Sequence, residues 1–311
     1  MTSMRVNVDS FARAETARMF AALQHQADGV NVLHHIRAPA PLDDQPVIRQ
    51  NRDTLYSSAI VDLNGGATLT LPDAGERYLS VMVVNEDHYI NRILHDAGDH
   101  ELTVADYDTD HVLIAARILV DPNDPTDVAA VNALQDAMRL AAGSARPYEA
   151  PDYDQASLDT TRGALLTLGR GLDRFDRTFG RKEDVDPVRH LLGTASGWGG
   201  LPEREAFYLK VEPGLPVGSY QLEVGDVPVD AFWSISVYNA AGYFEPNGSG
   251  VVSINSVTAA RNDDGSVTVR FGDGDQPNTI GIMDGWNYAV RLYRPRPEIL
   301  DGSWTVPALT G

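Results

Sequence analysis

Phe232-Trp233-Ser234-Ile235-Ser236-Val237-Tyr238-Asn239 alternates without a break along its length. Successive side chains of a strand point to opposite faces, so Trp233, Ile235 and Val237 share one side and Phe232, Ser234, Ser236 and Tyr238 the other. That is the pattern of a sandwich strand with a core face and a polar or aromatic face. The loop that follows, Asn239 to Asn247, carries Tyr243, Phe244 and Glu245, aromatics beside a carboxylate that suit a flat ligand or simply anchor the loop.

Similar short runs extend in both directions. On the C-terminal side strands are expected at 205–212, 218–224, 251–258, 266–271 and 287–294. Towards the N-terminus they are expected at 54–63, 67–71, 77–84, 88–94, 100–104 and 111–120, with turn signals such as Asn247-Gly248 and Asp264-Gly265 in the chain. Between the two groups, 127–140, 155–179 and 184–193 read as helices. Residues 9–28 form an amphipathic helix with Asp9 as its cap, and Ala38 to Pro46 an extended, Pro-punctuated loop. The expected fold is mainly β (α+β): two jelly-roll or sandwich-like antiparallel β units, with an N-terminal helix and a helical insertion between them. The boundaries follow as 1–121 for the first helix and β unit, 122–200 for the helical connection and 201–311 for the second β unit.

The 311 residues include 44 acidic and 25 basic side chains, a formal charge of −19. Such a surface repels phosphate backbones and anionic lipid, and no basic run offsets it, so neither nucleic acid nor membrane is an expected partner. Lys182 and Lys210 are the only lysines. The absence of Cys removes disulfides, thiolate metal sites and cysteine nucleophiles. The opening MTSMRVNVDSFARAET carries charge where a signal peptide has its apolar run, so a cytoplasmic location is expected. No Walker loop, dinucleotide fingerprint or serine-hydrolase elbow is present.

Chemistry concentrates in two stretches. Arg49 to Ser58, RQNRDTLYSS, packs guanidiniums, an amide, a carboxylate, a phenol and hydroxyls into ten residues. It is either a buried polar corner or a ligand floor in which Arg49 and Arg52 hold an anionic group, with Asn51 and Asp53 beside them and Tyr56 as donor. The second, VNEDHYINR, sets His88 beside Asp87 and Glu86, where a carboxylate can orient a general base. His88, His95 and His100 are alternatively a three-histidine site for a divalent metal, although no cofactor is required by the sequence. His34 and His35 are adjacent and point in different directions, so at most one faces a site. A Ser57 or Ser58 nucleophile activated by His88 is a further arrangement.

NRDTLYSSAIVDL at 51–63, RYLSVMVVNEDHY at 77–89, FWSISVYNAAGYFEPN at 232–247, DDGSVTV at 263–269 and WNYAVRLYRPRPEILDGSW at 286–304 together resemble bacterial proteins that pair domain of unknown function 1254 with domain of unknown function 1214. The resemblance implies jelly-roll-like β domains in each half. It also implies an ester-hydrolase label, with no catalytic residue set to carry over. Asn51, Arg52, Asp53, Tyr56, Trp233, Tyr238, Arg291 and Tyr293 lie in the matching segments. Two functions are therefore expected to compete. One is a carboxylesterase-like hydrolase of a small, anionic substrate, with His88, Asp87, Tyr56 and Arg52 catalytic and Arg49, Asn51, Asp53, Trp233, Tyr238 and Tyr243 binding. The other is a non-catalytic binder of carbohydrate or another small ligand that uses Tyr243, Trp198 and Trp286 for stacking. A homo-oligomer is compatible with either.

Overall fold

A computed structural model describes residues 3–45, 48–172, 174–248 and 250–311. Pro46, the expected end of the Pro-punctuated loop, lies outside them. The chain forms two units, each assembled from three separate stretches. The first takes the residues up to Arg37, Leu55–Leu119 and Pro125–Pro202; the second takes Ala38–Thr54, Val120–Asp124 and Glu203–Gly311.

In the first unit, α1 (Phe11–Gln26) precedes β1 (His34–His35), β2 (Thr54–Asp62), β3 (Ala67–Leu71), β4 (Leu79–Asn85), β5 (Ile90–Leu94) and β6 (Gly98–Leu102). Then come α2 (Val104–Tyr107), β7 (His111–Leu119), α3 (Pro125–Ala137), β8 (Arg139–Ala142), α4 (Gln155–Leu168) and α5 (Pro187–Gly197). The strands make an antiparallel five-stranded sheet, β1-β2-β7-β4-β5, and a three-stranded sheet, β6-β3-β8. The turn between β5 and β6 passes the chain from one sheet to the other.

The second unit holds β9 (Ala206–Val211), β10 (Tyr220–Val224), β11 (Trp233–Tyr238), β12 (Ser253–Asn255), β13 (Val267–Phe271), β14 (Thr279–Ile280), β15 (Asn287–Tyr293) and α6 (Pro297–Leu300). Its sheets, β12-β11-β15-β9 and β10-β13-β14, join through one apolar cluster. Trp233, Ile235 and Val237 of β11 meet Leu222, Val269 and Phe271 of the other sheet there. The alternation read from β11 is therefore realised as a sandwich.

The linear boundaries are corrected in two places. The helical stretch is no connector: α1 and α4 share a cluster of Val6, Phe11, Ala14, Leu158 and Leu165, with Leu191 and Leu192 of α5 packed on it. That burial ties the segment into the first unit. Residues 38–54 belong instead to the second. The helix expected over 155–179 stops at Leu168, because Gly169 caps it and Gly171 takes φ +82. The helix expected over 127–140 ends at Ala137, after which Arg139–Ala142 pairs with β3 as a strand. Ser10, not Asp9, stands at the α1 N-cap, and Asn7 accepts from the Asp9 and Ser10 N–H groups just before it. Among the described residues no helix is long and apolar enough to cross a membrane.

Candidate functional site

The polar face of β11 decides the second unit's chemistry. Antiparallel pairing sets Ser234 opposite Arg291, Ser236 opposite Ala289 and Tyr238 opposite Asn287. Arg291 is only 5% exposed. Burying a guanidinium is costly unless its hydrogen bonds and an opposite charge are supplied. Its Nη1 donates to Ser236 Oγ (2.8 Å), and its Nη2 to Tyr238 Oη (2.6 Å) and the Arg49 carbonyl (2.8 Å). The opposite charge is that of Asp53, which is fully buried and accepts from Ser234 Oγ at 2.5 Å.

Arg291 thereby draws the RQNRD segment onto the sheet. Tyr238 Oη donates to the Gln50 carbonyl (3.0 Å), Asn51 Nδ2 to Tyr293 Oη (2.7 Å) and Arg49 Nη2 to Asn287 Oδ1 (3.3 Å). Asn51 Oδ1 accepts from the Asp53 N–H at 2.8 Å, closing a local turn. Arg49 sits at φ +51, and Arg52 Nη1 donates to the Ala40 carbonyl. Burial raises the Asp53 pKa over the opposing effects of Arg291, the Ser234 hydrogen bond and Arg52. Burial works against the charge of Arg291, but Tyr238, Asp53 and Tyr293 outweigh it and hold its pKa above the ordinary value. Arg52 is lowered by burial.

Five buried atoms of this segment have no hydrogen-bond partner among the described residues: Arg49 Nε, Gln50 Oε1, Arg52 Nε, Asp53 Oδ1 and Thr54 Oγ1. Buried polar groups are nearly always paired, and each that is not costs roughly 1–3 kcal/mol. All five fall within six consecutive residues, 49–54.

The remaining predicted residues lie elsewhere. Trp233 points into the apolar cluster between the sheets, the face opposite Ser234, and cannot join Arg49 and Arg52. Trp286 is buried in the same cluster and its indole N–H donates to the Leu215 carbonyl, so it offers no stacking face. Tyr243 is half-buried on its loop, its N–H donating to Asn239 Oδ1.

Tyr56, Asp87 and His88 belong to the first unit. His88 is fully buried at φ +67 in the turn between β4 and β5. Its Nε2 accepts the Gly199 N–H at 2.9 Å, so the ring proton is on Nδ1, which donates to Thr194 Oγ1 at 2.8 Å. Trp198 stacks on the ring at 5.2 Å, which also occupies that indole face. Burial, with His190 nearby, lowers the His88 pKa well below the ordinary value. Both nitrogens are engaged, so the expected general-base role has no atom to perform it. Asp87 does not orient this ring; its carboxylate pairs with Arg13 at 3.0 Å. Tyr56 is half-buried under the Arg117 guanidinium, 5.7 Å from its ring centroid.

The three-histidine metal site is also corrected. His95 Nδ1 bonds the Leu79 carbonyl (3.1 Å) and His100 Nε2 the Asp96 carbonyl (2.8 Å). Among the described residues no three His, Asp or Glu side chains are grouped to hold a metal ion. His35 is the histidine that meets a serine. It stands opposite Ser57 across the β1–β2 pair, with Nδ1 2.7 Å from Ser57 Oγ. Gln135 Nε2 also donates to that oxygen, at 3.1 Å. Sequence reasoning missed this pair because a two-residue strand carries no periodicity. Arg291 had one sequence signal, a lone charge inside the apolar strand WNYAVRLY.

Fold and site together define a two-unit, mainly antiparallel β protein whose second sandwich carries an arginine-centred polar layer on one sheet face. Residues 30–94 match the family model described as a protein of unknown function (DUF1254), and residues 215–297 match that described as a protein of unknown function (DUF1214). The chain thus carries matches to both domains, in the order its motifs announced. No curated protein matches it. The VPA0106 protein from Vibrio parahaemolyticus is similar in structure, with 16% identity, 97% of each chain covered and a TM-score of 0.74. An uncharacterised protein from Burkholderia cenocepacia is 13% identical over 97% of this chain and 86% of its own, with a TM-score of 0.52. At these identities the likeness shows the fold alone.

Proposed function

We propose that the second unit binds a small carboxylate through Arg49 and Arg52, on a floor fixed by Arg291, Asp53 and Tyr238. The observation that carries this is the row of unpartnered buried polar atoms on residues 49–54. Two free guanidinium Nε–H groups suit an oxyanion, and the Gln50, Asp53 and Thr54 oxygens suit hydroxyl or acid protons on the same ligand. Calorimetric titration with small mono-, di- and hydroxycarboxylates tests it. Replacing Arg52 by Ala should weaken binding about tenfold or more, on the order of one charge-assisted hydrogen bond, with circular dichroism unchanged. Equal affinity in Arg52→Ala and Arg49→Ala would refute the assignment.

A second function, ester hydrolysis in the first unit, is supported by the Ser57–His35 contact. Gln135 donates to Ser57 Oγ, which directs the hydroxyl proton to His35 Nδ1. Burial, together with the charge of Arg37, lowers the His35 pKa, so the ring is an unprotonated base at neutral pH. Attack of Ser57 Oγ on the ester carbonyl carbon would pass its proton to that nitrogen, which hands it to the alkoxide as the ester C–O bond breaks; water, deprotonated by the same nitrogen, then releases the acid and restores Ser57. Ser57 is only 2% exposed, which ranks this second. Fluorophosphonate labelling lost in Ser57→Ala supports it; no labelling of the intact protein excludes it.

A further inference from the structure

The first unit also carries an open basin of about 650 Å³, within the size range of small-molecule sites. Its floor is Glu86, held on two sides. Arg13 Nη2 donates to Oε2 at 2.6 Å and the His111 N–H to Oε1 at 3.1 Å. One wall is Tyr148, packed edge-on to Phe20 and His111, each at 5.4 Å. Gln24 pins that wall from behind, its Oε1 accepting from the Tyr148 N–H and its Nε2 donating to the Tyr148 carbonyl. His111 Nε2 donates to the Arg146 carbonyl at 2.8 Å, so its Nδ1 is left as an acceptor.

Two features say what would fit. Tyr148 is only 7% exposed, and its hydroxyl, which makes no hydrogen bond to the described residues, is not sealed from solvent and lies in the field of Glu86 and Arg13, which line the same basin. Burial raises the pKa of that phenol, so it stays protonated and can donate to a ligand in the basin. Next, the charged lining consists of Arg13 and Arg146 against Glu86, Asp108, Asp110 and Glu149, two cations against four anions. Arg13 is committed to Glu86 and Asp87, and Arg146 Nη2 reaches Asp110 at 3.4 Å. The charge left over is negative, which disfavours an anion.

We propose that this basin binds a sugar-sized polyol, neutral or amine-bearing, with Tyr148 donating to a ligand oxygen and Glu86 accepting from a ligand hydroxyl or ammonium. It is a site separate from the carboxylate floor of the second unit and does not depend on it. Three pyranoses of one shape separate the chemistry: glucosamine, glucose and glucuronate, titrated by ligand-observed NMR. Glucosamine should bind at least as tightly as glucose, and glucuronate roughly tenfold more weakly, since its carboxylate meets the unpaired anions. Tyr148→Phe keeps the ring packing and removes one donor, so it should weaken glucosamine binding about fivefold, the loss of one hydrogen bond. Arg52→Ala should leave this binding unchanged. No binding of any of the three at tens of millimolar, tightest binding of glucuronate, or full affinity in Tyr148→Phe would each overturn the proposal.

Discussion

Arg291 and Asp53 lie 238 positions apart in sequence and share one buried layer. Neither is stable there alone. Arg291→Met should destabilise the second unit by about 3–5 kcal/mol, because the Asp53 charge is then buried without its counterpart. Adding Asp53→Asn should recover part of the loss by removing that charge, and denaturant titration of the single and double variants measures the coupling. A double variant as unstable as the sum of its parts would show that the two residues do not act together. His88 teaches the opposite lesson. Its neighbours Asp87 and Glu86 in sequence suggested a catalytic pair, but the left-handed backbone at His88 turns its ring inward to Thr194, Trp198 and Gly199.

At the scale of elements, the strands were legible because each sandwich has a dry face and a different second face, which imposes period two. The alternation of β11 was realised residue by residue. The helix ends were less legible, since apolar residues continue beyond α4 while the glycines that stop it act through backbone conformation. One close approach of elements had no pattern at all. Gly65, before β3, and Gly143, after β8, bring their backbones together beside a Gly143 N–H to Gly66 carbonyl bond of 2.8 Å. A Cβ on Gly143 would fall on the Gly65 carbonyl. Gly143→Ala should therefore destabilise the first unit by roughly 1–3 kcal/mol, as overpacking does, with thermal denaturation as the measure. An unchanged midpoint would mean that the two turns separate freely.

At the scale of the molecule, the two units should answer pH in opposite ways. The His88 pKa lies well below 6.5 when folded, so the unfolded chain binds the proton more tightly; the first unit loses stability as pH falls below about 6.5. The Asp53 pKa is raised above 3.8, so the folded state holds the proton more tightly; the second unit loses stability as pH rises from about 3.8 through that raised value. Hydrogen exchange read by mass spectrometry across this range should show protection moving in opposite directions in β4 and β11. Parallel changes would contradict the assigned burial of one of the two groups. The charge of −19 can now be given local meaning as well: the RQNRD segment of the second unit runs against it, with two arginines to one aspartate. By itself the sequence determined the β class, most of the strand positions and the pairing of the two domains, because periodicity, turn residues and local motifs are short-range properties. Only the tertiary structure decided that residues 38–54 join the second unit, that Arg291 anchors them, that His88 is saturated and that His35 meets Ser57. Each of these depends on contacts between residues distant in sequence or on a backbone turn that no local pattern encodes.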